Sequence, residues 1–270
     1  MSDHPSGAIA PRVTRRTVAR GAAWSAPAIA LCSTAPAVSA STPPRPEDPC
    51  VPQDLVVDWS NQAVWTRDPG GAWARAVLNA GKPNELRMTV ATRIVGSMRL
   101  GSIDGAKGND SLALSPEPIG GTPDPGLTFH QSQTSAQPGG WNNRVIYSVA
   151  FTDGAGAPVV VSNLRFTITD IDSTAGDFWD CVALSSGFAL TSLGAGVHGS
   201  GTTSDPLRTT AENGPVPNHS GQGSAQVFYP KTGGFSIAYW SAATYFSGVD
   251  TDQKIFLSNI SFRYQKTIGC

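Results

Sequence analysis

Short runs of β-branched and aromatic residues alternate with clusters of Gly, Pro, Asn, Asp and Ser from about residue 54 to residue 264. The runs at 54–59 (DLVVDW), 85–95 (ELRMTVATRIV), 144–151 (RVIYSVAF), 158–169 (PVVVSNLRFTIT), 224–229 (SAQVFY), 235–240 (FSIAYW) and 254–264 (KIFLSNISFRY) read as strands. A period of two is plain in several of them. Phe235, Ile237 and Tyr239 share one face, as do Ile260, Phe262 and Tyr264. No apolar set recurs at helical spacing over three turns, and only 71–82 (GAWARAVLNAGK) reads as well for helix as for strand. The Gly-rich region 101–143 reads as a set of long loops. Many short strands between Gly/Pro turns predict an all-β fold, a single β-sandwich of jelly-roll type.

The first 40 residues break this pattern. Arg12, Arg15, Arg16 and Arg20 precede an uncharged stretch, GAAWSAPAIALCSTAPAVSA, that ends in Val38-Ser39-Ala40. Basic region, apolar run and small-residue cut site follow the order of a signal peptide, with cleavage expected after Ala40. Pro27, Pro36 and the many Ala and Ser make the run too weakly apolar for a membrane span, so no transmembrane anchor is expected. TRRTVAR (14–20) resembles the twin-arginine export motif through Arg15, Arg16, Val18 and Arg20. The expected organisation is a signal peptide at 1–40, a Pro-rich leader at 41–52 and a β-sandwich domain at 53–270. Losing residues 1–40 takes away four arginines and one aspartate, moving the formal net charge from −1 to −4. No Lys/Arg block remains, which argues against nucleic acid and anionic membranes as partners.

Against this low charge density, FTITDIDSTAGDFWDCVAL (166–184) concentrates four aspartates. Phe166 and Ile168 have core parity, and continuing it puts Asp170 and Asp172 on the same side. Counting back from Leu184 and Val182 adds Asp180. Three converging carboxylates repel one another, so a cation, an arginine or backbone N–H groups must offset them. Calcium suits oxygen ligands of this kind, with Asp170, Asp172, Asp177 and Asp180 as the candidate set. The stretch is not an EF-hand: with Asp170 as position one, Ala175 stands where Gly is needed and Cys181 where Glu is needed.

Catalytic signatures are scarce. No G-x-S-x-G elbow and no H-E-x-x-H occur, and His130, His198 and His219 read as separate loop histidines. Aromatic side chains are the other candidate chemistry. Trp141 follows a PGG turn, Trp240 should face away from core-directed Tyr239, and Tyr245 lies in the loop beyond. Flat rings of this kind can stack on the apolar face of a sugar. Trp59 and Trp179 read as core residues.

Cleavage removes Cys32 and leaves Cys50, Cys181 and Cys270, an odd number for an oxidising compartment. First and last strands often lie side by side in sandwiches, which favours a Cys50–Cys270 bridge, with Cys50–Cys181 second. Cys181 then remains a buried thiol.

The combination FTITDIDS…FWDCV, SGTTSDPLRTT and GGFSIAYWS…QKIFLSNISF resembles secreted actinobacterial β-sandwich proteins that carry a twin-arginine-type leader. It is also distantly similar to lectin-like regions of bacterial fibrillar adhesins. The likeness spans about residues 144–265 and implies a secreted or cell-surface sandwich without an assigned reaction. The expected function is therefore non-catalytic binding of glycan or a protein surface outside the cell. An extracellular polysaccharide hydrolase and a structural envelope protein are the alternatives.

Overall fold

A computed structural model of the chain describes residues 50–61, 64–103, 108–217, 219–247 and 253–266. The leader with Arg15, Arg16 and Ala40 lies outside the described residues, as does Cys270. In chain order the strands are β1 (Gln53–Val57), β2 (Trp65–Arg67), β3 (Trp73–Leu78), β4 (Leu86–Val95), β5 (Met98–Leu100) and β6 (Leu127–Gln133). They continue with β7 (Arg144–Asp153), β8 (Val161–Thr169), β9 (Ser173–Thr174), β10 (Phe178–Leu184), β11 (Ala189–Leu193) and β12 (Val197–His198). The last are β13 (Arg208–Thr209), β14 (Ala225–Thr232), β15 (Gly234–Ser241), β16 (Gln253–Leu257) and β17 (Ile260–Tyr264).

These strands make an antiparallel β-sandwich. One sheet runs β1-β17-β8-β16-β6-β5, with β14 on the other edge of β8 and β11 beyond it. The facing sheet runs β2-β3-β4-β7-β15-β10-β9. Alternation decides what enters the space between them. Leu164, Phe166 and Ile168 of β8 meet Val145, Tyr147 and Val149 of β7 and Phe235, Ile237 and Tyr239 of β15 in one apolar core. Aromatic pairs bind the layers together, with Phe166 stacked on Phe235 at 4.9 Å and Phe151 edge-on to Phe262 at 5.3 Å. Trp59 is buried there as expected, its Nε1 donating to the Ser258 carbonyl at 2.8 Å. Trp179 is only half-buried, under the Arg208 guanidinium.

One open reading is decided and two expectations are corrected. Segment 71–82 is strand at its centre, since Ala74 and Ala76 alternate into the core while Trp73 and Arg75 face out. The run 254–264 is two strands, because the chain bulges at Ser258–Asn259 so that β16 and β17 follow one another along β8. Within the expected loop region lies β6, whose sequence LTFHQSQ is buried at every position. Its polar residues hid it. Gln131 and Gln133 face inward, whereas Thr128, His130 and Ser132 face outward but are covered by the preceding loop. His130 is therefore a buried strand residue, its Nδ1 bonded to Asp110, which Lys254 also reaches at 3.0 Å.

First and last strands do pair, Gln53 opposite Tyr264 and Val57 opposite Ile260. Gln265 Nε2 donates to the Cys50 carbonyl at 2.7 Å, so the two ends of the sandwich lie together. Cys181 is a free, buried thiol whose pKa burial pushes up to about 12. A Cys50–Cys181 bridge is therefore excluded. Non-reducing peptide mapping is expected to link Cys50 to Cys270. It should also show Cys181 alkylated only after denaturation; a disulfide peptide containing Cys181 would contradict this arrangement.

Candidate functional site

Asp170 directly follows β8 and takes φ 68, a left-handed conformation uncommon outside Gly, Asn and Asp. That single residue breaks the period of two, so the parity carried forward from Phe166 and Ile168 stops at Thr169. Ile171 enters the core instead. Asp172 and Asp180 are then joined by two bonds between the chain segments: Asp180 N–H donates to the Asp172 carbonyl at 3.0 Å, and Asp172 N–H donates to Asp180 Oδ2 at 3.1 Å. The Asp172 carboxylate accepts from Val216 N–H at 2.9 Å.

Asp180 projects from β10 into the sandwich and is fully buried. Its Oδ1 accepts from Tyr239 Oη at 2.8 Å and from Gln253 Nε2 at 2.7 Å. Gln253 Oε1 in turn accepts from Gln131 Nε2 at 3.0 Å. Tyr239 and Asp180 belong to one sheet, Gln253 and Gln131 to the other, so this buried polar chain ties the layers at one end of the core.

The three carboxyls form an electrostatic row with Asp172 in the middle. Burial and the Asp172 charge push Asp170 up to about 7, with Lys254 pulling the other way. Burial likewise pushes Asp172 up to about 6, against the Val216 hydrogen bond. Asp180 is raised well above the usual carboxylate range by burial and by Asp172. Asp170 Oδ1 is buried without a hydrogen-bond partner. Asp177 lies apart in the turn between β9 and β10, its N–H donating to the Thr174 carbonyl at 3.0 Å. Among the described residues no group of three or more His, Cys, Asp and Glu side chains is arranged to hold a metal ion. Asp180 is instead offset by Tyr239, Gln253 and a backbone N–H.

The aromatic candidates sit on another surface. Trp240 faces away from Tyr239 as parity predicts, yet it is 5% exposed. Trp141 covers it, edge to face at 4.9 Å and 82°, and Cys181, Ala183 and Ala238 pack with it on the outer side of the sheet. Trp240 is thus the support of a platform, a correction to its expected ligand contact. Trp141 is the exposed member at 37%, with the Arg144 guanidinium 4.0 Å from its ring centroid. Tyr245 is 53% exposed on a separate loop that approaches Gly176.

Cross-strand register also assembles residues that the linear sequence leaves scattered. On the outer face of the second sheet, β3 presents Trp73 and Arg75, β4 presents Arg93, and β7 begins with Arg144. Trp73 is opposite Ala91, Arg93 opposite Ile146, and Val95 opposite Arg144. A signal for this was present: outward positions of these strands hold arginine and no acid. Which arginines become neighbours depends on pairing between distant segments.

No family model matches the chain, and no curated protein matches it. Among solved structures it is similar to the adhesin domain of PrgB from Enterococcus faecalis bound to DNA, with TM-score 0.42 and 10% identity over 73% of this chain and 75% of that one. A further structure of that adhesin domain gives TM-score 0.41 at 10% identity, over 73% of this chain and 71% of that one. The Streptococcus pneumoniae β-galactosidase BgaA gives TM-score 0.29 at 10% identity, over 65% of this chain and 98% of that one. Likeness at this level assigns neither ligand nor reaction, and both rest on the residues above.

Proposed function

We propose that the chain is an exported, non-catalytic binding protein whose ligand, a glycan in preference to a protein surface, docks on the outer face of the seven-stranded sheet. The observation that carries this reading is the Trp141 platform. An exposed indole stacked against Arg144 and seated on buried Trp240 is held in place before any ligand arrives. Little rotamer entropy is left to lose on binding, so stacking on a sugar ring is realised almost fully as affinity. The acidic row does not compete for this role, because Asp180 is enclosed and bonded within the core. It does not form the open pair of carboxyls that a glycosidase sets across a cleft.

A glycan array probed with the secreted chain tests the reading. Binding to a discrete glycan class is expected, and Trp141→Ala should weaken it by about tenfold, the scale of one lost stacking contact. The melting temperature should fall only modestly, because Trp141 is at the surface and its loss uncovers Trp240 without opening the space between the sheets. An array without binders, or a Trp141→Ala protein with undiminished affinity, would overturn the assignment.

A further inference from the structure

We infer that the ligand taken by this face is an anionic polysaccharide chain, bound along a diagonal line formed by Arg75, Trp73, Arg93, Arg144 and Trp141. The inference rests on the binding reading above and adds the charge class and path of the ligand. Arg75 and Trp73 are two apart on β3 and point the same way. Arg93 is one row further and one strand over, since it pairs with Ile146 while Trp73 pairs with Ala91. Arg144 is again one row further and one strand over, opposite Val95. Trp141 caps the line by stacking on Arg144. With strands about 4.8 Å apart and same-face residues about 7 Å apart, the line from Arg75 to Arg144 is about 22 Å long.

The line is cationic and uncompensated. Arg75 and Arg93 are exposed, and among the described residues neither they nor Arg144 form a salt bridge. Nearby Arg87 differs, being paired with Glu85 at 2.7 Å. Burial and the adjacent Arg93 charge both disfavour the Arg144 cation. Arg144 Nε is buried and has no hydrogen-bond partner. Two like charges held together without a counter-ion, in a chain whose formal net charge is −1, call for an external anion.

Charge spacing selects among polyanions. Three guanidinium groups spread over about 22 Å match a polymer carrying one carboxylate every sugar or two, each accepting bidentate bonds. Duplex DNA presents on the order of a dozen phosphates over that length, which three arginines on a net-negative chain do not offset. Trp73 and Trp141, both exposed, interleave with the arginines and supply apolar area for ring faces between the charges.

The test uses the full secreted chain and four probes: polygalacturonate, its carboxyl-reduced neutral form, single-stranded DNA and duplex DNA. Binding is titrated at low and high salt. Polygalacturonate should bind, weaken with salt as screening requires, and lose about tenfold in affinity with Arg93→Glu and again with Arg75→Glu. The neutral form should bind at least tenfold more weakly. Equal binding of both polymers, with the arginine variants unaffected and Trp141→Ala still damaging, would overturn the charge inference and leave glycan binding standing. Preference for either DNA would make the ligand a nucleic acid and overturn it differently. No binding by any probe would remove the charge inference, while the neutral glycans of the array decide the broader reading. Unchanged melting temperatures of the arginine variants keep each result a statement about binding.

Discussion

Asp180→Ala is expected to be the most damaging single substitution in the described core, lowering the unfolding free energy by about 3 kcal/mol or more. The carboxyl accepts three donors that have no water to turn to: Tyr239 Oη, Gln253 Nε2 and Asp172 N–H. Removing the acceptor takes this bond from all three buried donors, leaving Gln253 Nε2 only its long contact to the Trp240 carbonyl at 3.5 Å, and it opens a void between the sheets. Asp180→Asn separates these effects. It keeps the shape and an oxygen for Tyr239 and Gln253, but turns an amide N–H₂ toward the Asp172 N–H, so a loss of about 1–2 kcal/mol is expected. Tyr239→Phe should cost about 1 kcal/mol and add little to Asp180→Ala, because both remove the same bond. Urea unfolding with unchanged m-values measures these differences. An Asp180→Ala protein as stable as wild type would mean that the polar chain does not hold the sheets together.

The second large effect is on pH dependence. In the presence of chelator, stability is expected to fall as pH rises from 5 to 8, the reverse of ordinary acid sensitivity. Asp170 and Asp172 titrate at about 7 and about 6 in the fold, against an ordinary value of 3.8. The native state therefore holds protons that the unfolded chain has already released. The stabilisation is complete below about pH 4 and is lost as pH passes through the folded values. Holding the Asp170 proton up to about pH 7 is worth about 4 kcal/mol, and the Asp172 contribution overlaps with it because the two charges repel. Asp170→Asn should make the slope shallower, the remainder coming from Asp172 and Asp180, which burial raises in the same direction. Calcium is proposed as the offsetting charge for this row, and the same experiment tests it. An ion bound beside Asp170 and Asp172 favours their ionised forms, so excess calcium should flatten the fall above pH 6 and raise the melting temperature. Identical curves in calcium and chelator would take the ion out of the account.

Much of this protein was legible from local pattern. The period of two located β4, β7, β8, β14 and β15, put Tyr239 inward and Trp240 outward, and marked Cys181 as an unpaired thiol. Parity also turned Asp180 inward, whereas Asp172 reaches it through backbone bonds formed after the chain leaves β8. Local pattern failed where a polar surface is buried by something distant. The strand β6 alternates properly, but its inward Gln131 is used by Gln253 and its outward His130 by Asp110. Without those partners the segment reads as loop. Asp170 defeated the extrapolation because a single left-handed residue inverts the phase of whatever follows.

Sequence alone determined the all-β sandwich and which face most strands turn to the core, since side-chain alternation is a property of neighbouring residues. Tertiary structure alone decided register, and register joins residues tens of positions apart. It placed Trp141 over Trp240, set Gln131 and Gln253 against Asp180, and drew Arg75, Arg93 and Arg144 into one line. No period in the chain encodes those neighbours, because they arise only when the hydrogen bonds between strands select one alignment.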